Sequence, residues 1–374
     1  MRHLLVITLA FLIFSCSSQE GSRGSGDLQL TILQDTVLID SGEELVMAGA
    51  SMFTYTLSPD TRFLYNYDRK SMKLEVFDLN QQALDKKVTF ANDGPNAVSA
   101  YVMAIRTFPD GRIFMHGFDK SGLYDLEGNL TESVSLHPTD YFAPDAETSF
   151  SFKTEYVFLD EQTVLIGLMN MFEHIPYMAK LDLKEKTVEM IDFEYPQKME
   201  KFSIILDGDG MKMASMGSVY KQKYRDKVLI HSDMFNETLV FDPISSDYSL
   251  IEYNSLLTPN EKVGGQKQKV SSREEFTEQT KILGSQVSFG RWVWDESTER
   301  FYRLSSIQQP SENQDGESYY KVVLTVFDKD LQMLGETLLP DYRKRPGVYF
   351  VKNGTIWIHE NVDDELGFVR LKVG

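Results

Sequence analysis

The chain has 374 residues, of which 42% are hydrophobic and 25% are charged, and this composition excludes a disordered or low-complexity polymer. Its 38 Lys and Arg residues against 56 Asp and Glu residues give a formal net charge of −18, which argues against nucleic acid as a partner. Its single cysteine excludes an intrachain disulfide framework and a multi-cysteine metal site.

The first sixteen residues have the features of an export signal. A short basic start, Met1-Arg2-His3, is followed by an apolar run from Leu4 to Phe14. That run has the length of a signal-peptide core and is much shorter than the about 20 residues that span a bilayer. It ends at Ile13-Phe14-Ser15-Cys16, which resembles the lipobox of bacterial lipoproteins, with a bulky Phe14 where a small residue is usual.

This resemblance implies that residues 1–15 are a lipoprotein signal peptide and that Cys16 is lipidated. Residues 16–26 then form the lipidated cysteine and a tether, which the sequence predicts to be flexible because residues 17–26 include no apolar side chain. The mature net charge becomes −19, because Arg2 is the one charged residue removed. We expect an outer-membrane lipoprotein of the cell envelope, periplasmic or surface-exposed, that touches the membrane through Cys16. A plain secretory signal with an incidental Cys16 is the alternative.

Residues 27–374 are predicted to form one domain of short β-strands. Alternating apolar and polar residues occur in segments such as Lys73–Leu79 and Lys321–Phe327. Turn signals such as Asp110-Gly111 and Asn353-Gly354 separate the strands. Aromatic residues make up 12% of the chain, which favours a β-rich core.

A strand followed by an acidic turn recurs along this domain, for example at Val76-Phe77-Asp78 and Val326-Phe327-Asp328. Most copies have a second strand upstream and a third downstream. We count six such units, and the sixth, which begins near Gly354, runs out of chain before its outer strand. The segment Leu28–Leu33 precedes the first unit and is predicted to supply that strand, which would close a ring.

Strand units spaced at about 40 to 60 residues predict an all-β, six-bladed β-propeller. Segments 108–114 and 123–130 are similar to blades of the NHL-like and TolB-like six-bladed propellers. With the lipoprotein start, the chain resembles the six-bladed propeller lipoproteins of uncharacterised function that are common in Bacteroidetes. Five or seven blades, or two β-sandwiches, remain open alternatives.

One segment interrupts the pattern, at about residues 256–286. It has few large apolar residues, and Ser272 followed by Glu275 fits a helix capping box. We expect an inter-blade insertion with one short helix, the alternative being a solvated loop.

Signatures of catalysis are missing from the sequence, which contains no H-E-x-x-H, G-x-S-x-G or Walker A motif. The histidines show no metal-ligand spacing, and His116 and His231 are predicted to be structural and partly buried. We therefore predict no catalytic residue, no metal and no cofactor.

Candidate binding residues follow from the propeller hypothesis, because such folds bind ligands where their innermost strands converge. The predicted innermost strands are 101–108, 149–157, 211–219, 287–294 and 348–351. Polar side chains there are costly unless they are paired or face water. The predicted ligand-binding residues are Arg106, Lys153, Glu155, Arg291, Trp292 and Arg345, followed by His174 and Tyr177 in a predicted loop.

The segment Arg291-Trp292-Val293-Trp294 combines a cation with two indoles, which suits a carboxylate, a sugar face or a peptide. In the structural alternative, a tryptophan packs between blades and Arg291 pairs with an acid.

Three functions remain open. The leading hypothesis is a monomeric, non-catalytic binding or scaffold module for a protein, peptide or glycan. The alternative is a lactonase-like or lyase-like enzyme with a divalent metal in the channel. The third is a purely structural part of an envelope complex.

Overall fold

The computed structural model describes residues 28, 30–49, 52–143, 150–170, 176–193, 195–208, 210–311 and 318–374. The predicted signal peptide, Cys16, the tether and His174 lie outside these described residues. Over the residues that are described, none of the helices combines the length and hydrophobicity of a transmembrane span.

The described chain consists mainly of short antiparallel strands, so the all-β prediction is confirmed. Most sheets are four-stranded meanders, in which hydrogen-bonded neighbours are consecutive in sequence. In chain order, the first half contains β1 (Ile32–Leu38); sheet 1, with β2 (Tyr55–Leu57), β3 (Phe63–Asp68), β4 (Lys73–Asp78) and β5 (Ala83–Thr89); sheet 2, with β6 (Val102–Thr107), β7 (Ile113–Gly117), β8 (Ser121–Tyr124) and β9 (Leu130–Val134); a 3-10 turn (Pro138–Asp140); sheet 3, with β10 (Phe150–Phe158), β11 (Thr163–Asn170), β12 (Pro176–Asp182) and β13 (Thr187–Ile191); and then α1 (Tyr195–Glu200), β14 (Ile204–Gly208) and β15 (Met211–Ser215).

The second half continues the same plan, with one split strand. Sheet 5 begins with two short pieces, both paired with its second strand. In chain order this half contains sheet 4, with β16 (Val219–Tyr224), β17 (Lys227–Ser232), β18 (Glu237–Phe241) and β19 (Tyr248–Glu252); β20 (Lys269–Val270) and α2 (Arg273–Gly284); sheet 5, with β21 (Ser288–Phe289), β22 (Val293–Asp295), β23 (Arg300–Gln309), β24 (Tyr319–Asp328) and β25 (Met333–Leu338); and sheet 6, with β26 (Tyr349–Lys352), β27 (Thr355–Val362) and β28 (Glu365–Val373).

Sheet 6 takes its outer strand from the N-terminal part of the chain. Strand β1 pairs antiparallel with β28, from Ile32 opposite Val373 to Leu38 opposite Gly367. The predicted strand at 28–33 therefore exists but lies further along, at Ile32–Leu38. An Asp35–Arg370 ion pair adds a side-chain link between the two strands.

Both faces of each sheet are buried against neighbouring sheets. In β17, for example, Val228 and Ile230 pack in a cluster with sheet 3, whereas Leu229 between them packs in a cluster with sheet 5. Successive side chains of a strand point to opposite faces, so a continuous apolar run supplies two interfaces. Such clusters lie between each pair of consecutive sheets, and a further cluster joins sheet 6 to sheet 1 through residues such as Phe350 and Leu64.

Strands β14, β15 and β20 form an accessory sheet outside this pattern. Strand β14 pairs antiparallel with β15 and parallel with β20, which comes from the connection between sheets 4 and 5. The predicted innermost strand at 211–219 is therefore wrong: its first half belongs to the accessory sheet, and the first strand of sheet 4 is β16.

The short helix predicted within residues 256–286 is present as α2, which lies beside this sheet. The Ser272 side chain accepts a hydrogen bond from the Glu275 amide at 3.2 Å, as an N-cap does. In a standard capping box the Glu275 carboxylate would accept a hydrogen bond from the amide of the N-cap residue, Ser272. Here it accepts one from the amide of the preceding residue, Ser271.

The pairing of β1 with β28 can be tested by a cross-link. Thr36 and Val369 are directly opposed, so their Cα atoms should lie about 4.5–5.5 Å apart, which is within disulfide range. In a Cys16→Ser background, the Thr36→Cys/Val369→Cys protein should form a disulfide. It should also gain about 4 kcal/mol in unfolding free energy, because the closed loop is long. Mass spectrometry and urea unfolding measure both outcomes.

Thr36→Cys/Lys372→Cys is the matched control, because Lys372 opposes Leu33 and its side chain lies on the other face of the strand. Equal cross-linking of the two pairs would contradict this register.

Candidate functional site

The connections from the last strand of one sheet to the first strand of the next create a common surface. In an antiparallel four-stranded meander, the first strand begins and the last strand ends on the same side of the sheet, where the strand ends lie. We call the surface formed by these strand ends the connection face. The long connections that carry the accessory sheet and α2 also lie here, because they join sheet 3 to sheet 4 and sheet 4 to sheet 5.

Arg291 brings the first strands of four sheets together at this face. Its Nη2 lies 3.2 Å from Glu155 Oε1 on β10 of sheet 3. The guanidinium carbon lies 5.0 Å from the centroid of the Tyr220 ring on β16 of sheet 4. The hydroxyl of Tyr349, on β26 of sheet 6, donates a hydrogen bond to the Arg291 carbonyl. Arg291 itself lies between β21 and β22 of sheet 5, so this contact set lies where the sheets converge.

Two lysines lie beside this contact set. Lys221 Nζ donates to the Glu155 carbonyl oxygen at 3.0 Å, and burial lowers its pKa to about 8. Lys153 Nζ lies 3.7 Å from the Met169 sulfur, and burial also lowers its pKa. Because about 8 is still above neutral pH, most Lys221 side chains carry a positive charge at pH 7.

Two cavities open on the connection face. The first, which we call the central cavity, has a volume of about 260 Å³ and takes its walls from sheets 1, 4, 5 and 6. Its walls include Phe53, Tyr55, Tyr220, Arg291, Arg345 and Tyr349. The second, which we call the methionine cavity, has a volume of about 510 Å³ and lies between sheets 3 and 4 beneath the accessory sheet. Its walls include Lys153, Glu155, Met178, Met213, Lys221 and Phe276.

The charges around these cavities are opposite in sign to the protein as a whole. Among the described residues that line them, four are cationic, namely Lys153, Lys221, Arg291 and Arg345, and one, Glu155, is acidic. Glu155 is already paired with Arg291. A positive centre on a chain of net charge −18 favours an anionic ligand at this place.

A larger groove of about 570 Å³ lies between sheets 3 and 4 at the other end of their strands, away from the connection face. Four cationic and four acidic side chains line this groove, and two of the cations are paired, since Lys180 lies 2.8 Å from Glu189 and Lys227 lies 2.7 Å from Asp242. It therefore lacks the unbalanced charge of the connection face.

The predicted site residues divide into four groups. Lys153, Glu155 and Tyr177 line the methionine cavity. Arg291 and Arg345 line the central cavity, and Arg345 is exposed. His174 lies outside the described residues.

Arg106 and Trp292 lie elsewhere. Arg106 Nη2 donates to the Thr154 carbonyl at 3.1 Å and its guanidinium lies over the Tyr156 ring, so it braces β10. Trp292 is 3% exposed and stacks on Phe327 at 4.0 Å between sheets 4 and 5. It packs in the core and lines neither cavity, because it points to the opposite side of the chain from Arg291.

Sequence reasoning missed Tyr220, Lys221, Tyr349 and Tyr55. The first two were missed because the innermost strand of sheet 4 was placed at 211–219. The alternating segment Val219–Tyr224, immediately before the Arg225-Asp226 turn, was an available signal for the correct strand.

Among the described residues, no group of three His, Cys, Asp or Glu side chains is placed to hold a metal ion. His116 and His231 are each 1% exposed, so their predicted burial is confirmed and is nearly complete. Burial, together with the nearby Arg106 charge, lowers the pKa of His116 to about 4.

The profile of one protein family, DUF4221, described as a domain of unknown function, matches residues 27–338. This range covers β1 and sheets 1–5, and sheet 6 follows it. No curated protein matches the sequence.

Several solved structures resemble the chain. A member of the DUF4221 family from Bacteroides vulgatus ATCC 8482 has a TM-score of 0.67 at 16% identity, over 92% of this chain and 98% of that chain. A protein of Bacteroides fragilis NCTC 9343, provisionally described as exported, has a TM-score of 0.49 at 9% identity, over 94% and 98%. A β-propeller domain from Myceliophteria thermophila has a TM-score of 0.37 at 9% identity, over 91% and 100%. At 16% identity the likeness to the first structure concerns the fold alone.

His116 predicts how stability depends on pH. The folded protein holds this imidazole neutral down to a pKa of about 4, whereas an unfolded histidine titrates near 6.5. The unfolding free energy should therefore fall as the pH drops from 6.5 to 4, by up to about 3 kcal/mol from this residue. His116→Gln should reduce that fall by the same amount, measured by urea unfolding at a series of pH values.

Lys184→Gln, at an exposed position in the turn between β12 and β13, is the control. If His116→Gln and wild type lost stability in parallel between pH 6.5 and 4, the inference about His116 would be wrong.

Proposed function

The chain belongs to the DUF4221 family, and we propose that it is a non-catalytic binding module for an acidic protein segment, peptide or glycan. The observation that carries this proposal is the positive centre of the connection face, on a protein that is otherwise strongly acidic. Arg291 and Arg345 are the principal anchoring residues, because guanidinium groups bind carboxylates through paired hydrogen bonds.

The proposal includes a ring of six blades, formed by sheets 1–6 in chain order. Apolar clusters between consecutive sheets support it, and so does the cluster between sheets 6 and 1. Strand β1 closes the sixth blade by pairing with β28. Residues 256–286 are then an insertion between the fourth and fifth blades.

Exposed aromatic side chains on the connection face supply the apolar part of the proposed surface. Phe53 lines the cavity and is 83% exposed. Tyr101 and Phe118 are 54% and 68% exposed, and a hydrogen bond between their backbones holds them together. Such rings stack on sugar faces or peptide side chains, so they complement a charged centre.

The enzyme alternative requires carboxylates or histidines around the channel. The described side chains there are mainly Lys, Arg and Tyr, with Glu155 held by Arg291, and this arrangement favours binding over metal-assisted catalysis.

The proposed setting is the cell envelope, with the propeller held to the outer membrane by lipid on Cys16. The lipobox-like segment before Cys16 and the polar tether after it support this proposal.

Binding can be measured by calorimetry with matched probes. A hyaluronan hexasaccharide and a hexaglutamate peptide test the acidic ligands, and maltohexaose and hexaglutamine are their neutral counterparts. We expect one of the acidic probes to bind and its neutral counterpart to fail. Arg345→Gln should weaken that binding about 10-fold, because a charge-assisted contact is lost. Affinity should also fall as salt is raised.

Arg225→Gln is the matched control, because Arg225 is exposed and lies at the turn after β16, at the opposite edge. Equal binding of acidic and neutral probes, or equal loss in both variants, would refute a cationic site on the connection face.

Anchoring has its own test. The wild-type protein, expressed in a bacterium that processes lipoproteins, should incorporate labelled fatty acid and partition into the detergent phase of Triton X-114. Cys16→Ser should do neither, because it removes the thiol that carries the lipid. Labelling that persists in Cys16→Ser would count against lipidation at this residue.

A further inference from the structure

We propose that the methionine cavity binds a small amphiphilic acid, with its apolar body among the methionines and its carboxylate between Lys153 and Lys221. This inference rests on the proposed function in one respect, that the connection face is the ligand-binding surface. It adds a separate site with its own ligand class.

The size and walls of the cavity suit an apolar body. Its volume of about 510 Å³ falls within the about 300–1,000 Å³ typical of small-molecule sites. The inner wall is formed by side chains of sheet 3, of α1 and of the connection between them that are at least nine-tenths buried, including Met178, Phe193 and Met199. These apolar surfaces leave few hydrogen-bonding groups that a hydrophilic ligand could use.

Methionine is unusually concentrated here. Five of the 16 methionines in the chain line this one cavity: Met169, Met178, Met199, Met213 and Met216. Thioether side chains are flexible and polarisable, and they adapt to ligands of differing shape. The wall therefore favours a flexible aliphatic chain over one rigid ligand.

The charged end of the cavity lies at Gly167 on β11. A Cβ atom added to Gly167 would lie 3.4 Å from Lys221 Nζ and 3.5 Å from Lys153 Cβ, so both lysines cover this glycine. Among the described residues, Lys153 Nζ contacts the Met169 sulfur and Lys221 Nζ contacts a backbone carbonyl. Neither contact is to a carboxylate, although the Glu155 carboxylate that pairs with Arg291 also attracts the Lys221 ammonium group. A ligand carboxylate would therefore supply a counter-charge to Lys153 and would relieve Lys221 of sharing Glu155 with Arg291.

The accessory sheet and α2 form the outer rim. Met213 on β15 is 44% exposed, and Phe276 on α2 packs against the accessory sheet while lining the cavity. The two long connections thus complete the site, which the sheets alone would leave open on this side.

Calorimetry with dodecanoate, dodecanol and acetate tests the proposal on the mature protein. Dodecanoate should bind at one site, dodecanol more weakly, and acetate not measurably. Lys153→Met/Lys221→Met should weaken dodecanoate binding about 10-fold or more and leave dodecanol binding unchanged. Gly167→Leu should abolish binding of both, because its side chain would occupy the cavity. Absence of dodecanoate binding to the wild type would overturn the proposal.

A rim variant keeps the test valid if a core substitution prevents folding. Met213→Glu places a carboxylate at the exposed rim and should weaken dodecanoate binding, whereas Met213→Gln should not. Equal effects of the two would also overturn the proposal.

The same variants separate this inference from the proposed function. Gly167→Leu keeps Arg291 and Arg345, so it should still bind the acidic hexasaccharide or peptide. Arg345→Gln should bind dodecanoate normally. If dodecanoate binds while the hydrophilic acids do not, the proposed function fails and this inference stands. If a hydrophilic acid binds while dodecanoate does not, this inference alone is overturned.

Discussion

The structure depends on the need of every sheet to bury both of its faces. Val228, Leu229 and Ile230 are adjacent in sequence but pack alternately against sheets 3 and 5. A sheet with two apolar faces must stand between two neighbours, so the sheets are stacked side by side and their first strands converge. The polar side chains on those strands are brought together by this packing, although they are far apart in sequence. Arg291 and Glu155 are separated by 136 positions.

The connections, in contrast, are free to differ in length, because they lie outside the packed interfaces. Two of them have become long enough to build a small sheet of their own, in which Ile205 and Leu206 pair with Lys269 and Val270. The cavity beneath that sheet combines a rigid wall from sheet 3 with a rim from these connections. The wall of this site is therefore determined by the packed core, whereas its rim can change in sequence and length without disturbing the core.

The sequence was sufficient for the all-β class, most strands and the α2 helix, because these depend on local periodicity and capping. It was insufficient where pairing is non-local. The alternation at Met211–Ser215 is as strand-like as that of Val219–Tyr224, and the distinction comes from β20, more than fifty residues later. Of the residues that line the cavities, Lys153, Glu155 and Arg291 were candidates from the sequence, whereas Lys221 required the correct strand. Trp292 packs in the core, as in the structural alternative, because neighbours in an extended chain face opposite sides.

The pairing of β1 with β28 also constrains the order of events during synthesis. Asp35 and Arg370, which face each other across this pair, are 335 positions apart. Strand β1 emerges first but cannot find its partner until the end of the chain has been released. The last sheet therefore forms after all the others, and until then β1 is an unpaired edge. Shielding of this segment until then would prevent premature association between nascent chains.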